Sequence, residues 1–239
     1  MVVKVAVAYD ILRLDEKAII TALKSAGAEV QPIHLEVTAV ELGSDSSGIN
    51  ADAVLQRSTS HYLALEFTVA LEGLVLRVIN SSRTIAVAID KVRSTSQLRA
   101  HGKPTPVTAI AFSPDAVFSV TEEIGYPVVI KPVSGSWGRM VCLARDEEEI
   151  RAIAEHRRYL PGINSRVFIV QEYVGKPGRD LRVFVVGGEV LGVDVFEDFE
   201  REYLINEVNV MTEFRNTVRI TSCNLHVKIA EYAIGAAKR

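Results

Sequence analysis

An α/β fold whose first third carries a mostly parallel sheet is the architecture this sequence predicts, on three observations. Apolar, strand-like runs alternate with segments of helical period. The first run, Val2 to Ala8, is almost continuously apolar, as suits a strand buried on both faces. Cap and turn residues stand where one element must give way to the next.

Taken in order, Val2 to Ala8 is a strand, and Asp15 then caps a helix with Ile19, Ile20 and Leu23 on one face, ended by Gly27. Val30 to Leu35 reads as a second strand, residues 43–48 as a polar loop and Ala53 to Gln56 as a short third strand. Tyr62 to Leu71 is a helix stopping at Gly73, and Leu74 to Ile79 a further strand. Such sheets bind ligands at the carboxyl ends of their strands, here Asp10 and Arg57 to Ser60, with Arg57 and Ser58 as candidate substrate contacts. The absence of GxGxxG after the first strand argues against a dinucleotide fold.

Arg83 to Gly102 has the composition of one polar helix, followed by an extended Pro104 to Ala111. Ser113 caps the next helix, Pro114 takes its first position, Val117, Val120 and Ile124 share a face, and Gly125 stops it. Tyr126 to Lys131 and Met140 to Ala144 are strands around a loop of small residues, and Asp146 caps a helix running to about Leu160. Val167 to Val174 is a strand, and Leu181 to Leu191 a hairpin turning at Gly187 and Gly188. Val193 to Phe196 and Tyr203 to Val208 read as strands, and a helix from about Asn224 closes the sequence.

Composition narrows the function classes. With 48% hydrophobic and 24% charged residues over 239 positions, the chain can bury a large core, and it reads as a soluble protein. No apolar stretch approaches the ~20 residues of a membrane span, and Lys4 and Asp10 interrupt the first run before a signal core forms, which points to the cytoplasm. Cys142 and Cys223 stand apart from each other and from any histidine at ligand spacing, so neither a disulfide framework nor a zinc site is expected. A net charge of -3 lacks the basic excess that nucleic acid requires.

Three clusters carry chemistry. Lys131 ends an apolar strand directly before Ser134-Gly135-Ser136-Trp137-Gly138, and a cation beside small residues with free N–H groups can cradle phosphate. A lysine that only snorkels to water ahead of an ordinary turn fits the same pattern. In Asn206-Glu207-Val208-Asn209, an extended chain would put Glu207 and Asn209 on one face, with Asp194 opposite on the preceding strand. Those hard oxygens suit magnesium, although a solvated polar edge would look similar. In the third cluster, Gln171-Glu172-Tyr173 ends a strand that could offer backbone groups to an adenine edge. Asp180 could accept a ribose hydroxyl, and Arg182 could meet a carboxylate or phosphate as a planar fork; an ordinary loop with surface ions fits equally.

The order of Asp90-Lys91, Val129-Ile130-Lys131-Pro132, Gly135-Ser136-Trp137-Gly138-Arg139, Gln171-Glu172-Tyr173, Gly178-Arg179-Asp180-Leu181-Arg182 and Asn206-Glu207-Val208-Asn209 resembles the ATP-grasp ligases of the ribosomal-protein-S6 glutamate-ligase branch. Within that branch the strings are most similar to the lysine-biosynthesis members that join α-aminoadipate to an amino-group carrier protein. Lys-Pro-x-x-Gly-Ser-Trp-Gly-Arg and Glu213-Phe214-Arg215-Asn216-Thr217-Val218 are the most discriminating.

The resemblance implies an ATP-grasp fold over residues 83–239, with a lid-like part at about 112–172 and a C-terminal part at about 173–239, after a small parallel-sheet domain at 1–82. It implies ATP and magnesium as cofactors. Lys91, Lys131, Ser134, Gly135, Ser136, Trp137, Gly138 and Arg139 would lie at the phosphates; Gln171, Glu172 and Tyr173 at adenine; Asp180 at ribose; Asp194, Glu207 and Asn209 at the metal. Arg182 and Lys131 would serve catalysis, and Arg57, Ser58, Arg182, Asn216 and Thr217 the substrate. The implied reaction phosphorylates the C-terminal carboxylate of a small acidic carrier protein, and the α-aminoadipate amine then displaces phosphate. Asn-Thr after Glu-Phe accompanies α-aminoadipate in this family and Gly-Phe accompanies glutamate, though a plain helix-entry turn would also use Asn216 and Thr217. A homo-oligomer without nucleic-acid or membrane partners is expected. His156 to Arg158 offers a basic patch for an acidic carrier, or simply a solvated helix end.

One departure stands out. After Gly192 the family continues with a strand bearing paired arginines, a loop with a Gly-Gly pair and a long helix, whereas here Val193-Asp194 follows directly. Either the segment is deleted, or the 239 residues leave out a mobile active-site loop; the apolar strand ends around Gly192 favour the second. A deleted form would bind ATP without turning it over. A glutamate-specific or peptide-tailoring ligase of the same fold is the other alternative.

Overall fold

Strand β1 (Lys4–Tyr9) lies at the centre of a parallel sheet, between β2 (Glu29–His34) and β3 (Ala53–Gln56), with the short β4 (Val78–Ile79) beyond β3. The computed structural model describes residues 1–43, 48–135, 137–175, 180–194, 203–214 and 223–239. Side chains alternate along β1, so Val5 and Val7 enter one core and Ala6 and Ala8 another. Val5 and Val7 meet Ile19 and Leu23 of α1 (Leu14–Ser25) and Leu225, Ala230 and Ala233 of the last helix, α7 (Leu225–Ala237). Ala6 and Ala8 meet Leu71 of α2 (His61–Gly73), together with Ile33, Val54 and Val78. Each large aliphatic side chain buried this way contributes about 1.5–3 kcal/mol.

The described parts of Met1–Ala86, Asp180–Phe199 and Val210–Arg239 form one compact unit, and those of Val87–Arg179 and Glu200–Asn209 a second. The first also contains the antiparallel hairpin of β9 (Arg182–Val186) and β10 (Glu189–Asp194), which turns at Gly187 and Gly188, both with positive φ. The second is built on an antiparallel sheet of order β5-β8-β6-β7: β5 (Thr108–Ala111), β8 (Phe168–Glu172), β6 (Val128–Lys131) and β7 (Cys142–Ala144). Val128, Ile130, Phe168 and Val170 point to one face and pack against Val117 of α5 (Pro114–Ile124) and Ile150 and Ala154 of α6 (Glu147–Arg158). Ser113 and Asp146 cap these helices as the sequence predicts, accepting from Ala116 N and Glu149 N.

Several expectations change. Asp15 lies inside the first turn of α1, not at its cap: Arg13 is the N-cap residue, and Glu16 at N3 accepts from the Arg13 backbone N–H. The predicted polar helix over 83–102 is two, α3 (Ser82–Ala88) and α4 (Lys91–Ala100), because the Asp90 carboxylate takes the N–H groups of Val92 and Arg93 and starts a new helix there. Residues 203–209 form no strand, so the same-face argument for Glu207 and Asn209 does not apply. The basic patch at 156–158 is incomplete, since Arg157 is buried between exposed His156 and Arg158. Gly192 and Val193 lie in β10, paired with Phe184 and Val183 of β9 after a register shift between Val190 and Gly192. No described helix is long and apolar enough to cross a membrane.

Candidate active site

In the second unit, the face of the antiparallel sheet opposite its core carries Thr108, Lys131 and Gln171, because strand residues repeat every two positions. Gln171 is buried and spans its neighbours: its Nε2 donates to Thr108 Oγ1 at 2.9 Å, and its Oε1 accepts from Lys131 Nζ at 2.5 Å. Lys131 Nζ also donates to Asn206 Oδ1 at 2.8 Å. The ammonium therefore sits at the end of β6 where the small-residue loop begins.

The second lysine of the loop comes from α4. Lys91 takes the first helical position after Asp90; its N–H donates to Val133 O at 3.0 Å and its Nζ to Gly135 O at 3.1 Å. Two cations thus flank one loop, whose Trp137, Gly138 and Arg139 are exposed and whose Trp137, Gly138 and Met140 have positive φ. Such turns aim backbone N–H groups toward a common point, which is how anions are cradled. Ser134 lies in the same loop, and Ser136 falls outside the described residues. At the end of β8, Glu172 N donates to Val107 O at 2.9 Å and the Glu172 carboxylate accepts from Val107 N at 2.7 Å. Tyr173 N reaches Pro127 O at 3.2 Å while its ring stays half exposed.

In the first unit, the carboxyl ends of β1 and β3 hold the predicted polar group. Burial pushes the Asp10 carboxyl up, but N–H groups of Thr59, Ser60 and Ile11 and the Thr59 hydroxyl, all at 2.7–2.8 Å, hold it below the usual carboxylate range. Arg57, 5% exposed, is committed inside the protein: its guanidinium pairs with Glu16 at 3.1 Å, donates to Thr212 O at 3.2 Å and lies over Phe214. Arg13 completes the lattice, 2.7 Å from Glu16 and 3.0 Å from Glu213. Asp15 Oδ2 accepts from Phe214 N at 3.2 Å, while Asp15 Oδ1 and the Ser58 hydroxyl are buried with no partner among the described residues. These bonds anchor residues 212–214, immediately before Arg215.

Lys91, Lys131, Ser134, Gly135, Trp137, Gly138, Arg139, Gln171, Glu172 and Tyr173 thus all lie in one unit, and Arg57 and Ser58 in the other. Asp180 and Arg182 are exposed at the start of the hairpin, with Asp194 opposite Arg182 in register. The side chain of Asp194, and Asn216 and Thr217 altogether, lie outside the described residues. Glu207 and Asn209 are exposed. Sequence reasoning missed Arg13 and Glu16, the pairing of Arg13 with Glu213 200 positions away, and the direct contact of Asn206 with Lys131. The only local signal was a Glu at N3 of a helix.

Two domain families match the chain: the LysX preATP-grasp domain over residues 5–87 and the RimK-like ATP-grasp domain over 88–193. The chain is 34% identical to the alpha-aminoadipate–LysW ligase LysX of Sulfolobus acidocaldarius, over 90% of this chain and 95% of that protein. It belongs to the RimK-like ATP-grasp ligases. The ligase is accordingly an ATP-dependent enzyme of a family that uses ATP and magnesium, with an ATP-grasp fold preceded by a parallel-sheet domain, as the resemblance implied. It is also 30% identical to the glutamate–LysW ligase ArgX of the same organism, over 96% of this chain and 97% of that one. Among solved structures, a RimK domain ATP-grasp protein from Sphaerobacter thermophilus superposes with TM-score 0.83 at 23% identity, covering 96% of this chain and 99% of that one. The ligase PsnB, solved with precursor, Mg and ADP, superposes with TM-score 0.73 at 18% identity, covering 98% of each chain.

Proposed function

We propose that the ligase activates the C-terminal carboxylate of a small acidic LysW-like carrier protein as an acyl phosphate and joins it to the amino group of α-aminoadipate. The nucleotide half of this reading rests on one observation: the ammonium groups of Lys91 and Lys131 flank a single small-residue loop. A carboxylate is a poor electrophile until phosphorylation gives it a leaving group, and transfer then needs little beyond positioning and charge neutralisation. Lys91 and Lys131 supply that positive charge, and the backbone N–H groups of residues 134, 135 and 137–139 supply hydrogen bonds. Glu172 and Tyr173 line the base, Asp180 the ribose, and Arg182 the reacting carboxylate.

Magnesium fits the donor chemistry. Glu207 and Asn209 are exposed hard-oxygen donors one and three residues beyond Asn206, whose amide meets Lys131, and magnesium takes one or two carboxylates together with phosphate oxygens and water. Those two residues, with Asp194, would hold it, and the ion would neutralise phosphate charge.

The carrier and the lysine-biosynthesis assignment are supported by similarity to LysX ligases, and Asn216-Thr217 favours α-aminoadipate over glutamate. The ArgX relatives keep glutamate as the competing amine. The test incubates the chain with ATP, magnesium and a LysW-type carrier, supplies each amine in turn, and reads ADP release and carrier mass. A carrier mass increased by α-aminoadipate less water is the expected product; growth with glutamate alone sinks the amine assignment. A second reading, nucleotide binding without turnover, is favoured by length: alignment with the LysX of Sulfurisphaera tokodaii runs over 276 positions, more than the 239 of this chain. ATP binding with no ADP release under any amine would establish that reading instead.

A further inference from the structure

Arg157 is the buried cation that this chemistry leaves unused. It is 2% exposed near the end of α6, and among the described residues it pairs with no carboxylate. Its guanidinium donates to Met140 O at 2.8 Å, to Lys131 O at 3.4 Å and to Val167 O at 3.5 Å, and lies 5.1 Å over the Phe168 ring. Lys131 ends β6 where the loop to β7 begins, and Met140 lies in the last turn of that loop before Cys142. We infer that Arg157 is a positioning residue for nucleotide phosphates, fixing the span of that loop by holding one carbonyl where it begins and one in its last turn. The inference rests on the reading of the loop as the phosphate seat.

Helix packing alone does not require this residue. Its neighbours Ile150, Ala154 and Phe168 are apolar, and a buried charge without a counter-ion is costly compared with an apolar side chain of similar size. Burial lowers the proton affinity of the guanidinium, and the neighbouring Cys142 offsets this only in part. A guanidinium nevertheless stays charged at working pH, and its rigid planar fork presents five donors in fixed directions, where a compact ammonium has three.

The experiment uses the full chain with Arg157→Lys and Arg157→Gln, measuring calorimetric affinity for ATP, ADP and adenosine, together with hydrogen exchange over residues 133–141 and 168–171. ATP affinity is expected to fall about tenfold in Arg157→Lys, ADP affinity less and adenosine affinity not at all. Exchange should accelerate in the loop while β8 stays protected. If Arg157→Gln does not fold, the lysine variant decides alone. Equal losses for ATP and adenosine, or no loss for either, overturn the inference while leaving the nucleotide reading intact. No ATP binding by the unsubstituted chain would overturn both.

Discussion

Glu16→Gln is the substitution that most directly tests the lattice beneath residues 212–214. The Glu16 side chain is fully buried and serves two guanidinium groups, Arg13 at 2.7 Å and Arg57 at 3.1 Å. Neutralising it leaves Arg57, itself 5% exposed, without its anion. Removing one partner of a buried pair costs about 3–5 kcal/mol, because the remaining charge keeps its desolvation penalty. With a urea slope of about 1–3 kcal/mol per molar, the midpoint should fall by more than about 1 M at unchanged slope. Urea unfolding followed by circular dichroism, with hydrogen exchange of the β1 amides, measures it. The double variant Glu16→Leu with Arg57→Met removes both charges and should recover at least half of the loss. A midpoint within about 0.3 M of the parent, or strict additivity in the double variant, would refute the reasoning.

Asp15 and Glu16 are adjacent and shift in opposite directions. Burial raises the Asp15 carboxyl, with the Glu16 charge adding to it, so its contribution is full at low pH and lost as pH rises through its folded value. Burial also pushes Glu16 up, but the Arg13 hydrogen bond and the Arg57 charge pull it net downward, so its contribution is full above the ordinary carboxylate range and lost as pH falls below it. Asp15→Asn should therefore be at least as stable as the parent at pH 7 and flatten the decline above about pH 4, as thermal unfolding across pH would record; a loss above about 1 kcal/mol at pH 7 contradicts it. Lys91→Met should weaken ATP binding about tenfold by calorimetry with the unfolding midpoint nearly unchanged, and undiminished affinity would remove Lys91 from the phosphate site. A Cβ at Gly187, where φ is +64°, would stand 3.0 Å from the Tyr232 ring, so Gly187→Ala should destabilise by about 1–2 kcal/mol in urea unfolding. Adding Tyr232→Ala should remove the steric share and leave the strain; no relief would show that contact to be harmless.

The elements were legible because their signals are local. Ser113 followed by Pro114 starts α5, the alternation around Ile130 makes β6, and Gly187-Gly188 turns the hairpin. Side-chain partnership is not local. Arg157 and Arg158 are chemically equivalent in the sequence, yet one lies under Met140 O and the other in solvent, because only position 157 shares the buried helical face of Ile150 and Ala154. The break between α3 and α4 was legible in principle from Asp90, a strong capping residue, but the uniform polarity of 83–102 masked it. The candidate phosphate site followed from Lys131 and its loop, while the second cation, Lys91, was tied to it only by family resemblance until Gly135 O appeared as its partner.

The hairpin of β9 and β10 contains the position after Gly192 at which the sequence departs from the pattern of the family it resembles. Gly192, Val193 and Asp194 pair with Phe184, Val183 and Arg182 after a register shift between Val190 and Gly192. The nucleotide-side cations, the loop and Arg157 all lie in the other unit, within residues 87–179. The groups assigned to the phosphates therefore lie outside the unit that holds the junction after Gly192, whereas Asp180, Asp194 and Arg182, the last assigned to the reacting carboxylate, lie inside it. Positioning at that centre is sensitive to small displacements, whereas phosphate binding is distributed over many N–H groups and two lysines. Nucleotide affinity by itself is therefore no measure of ligase activity, and the two are measured separately.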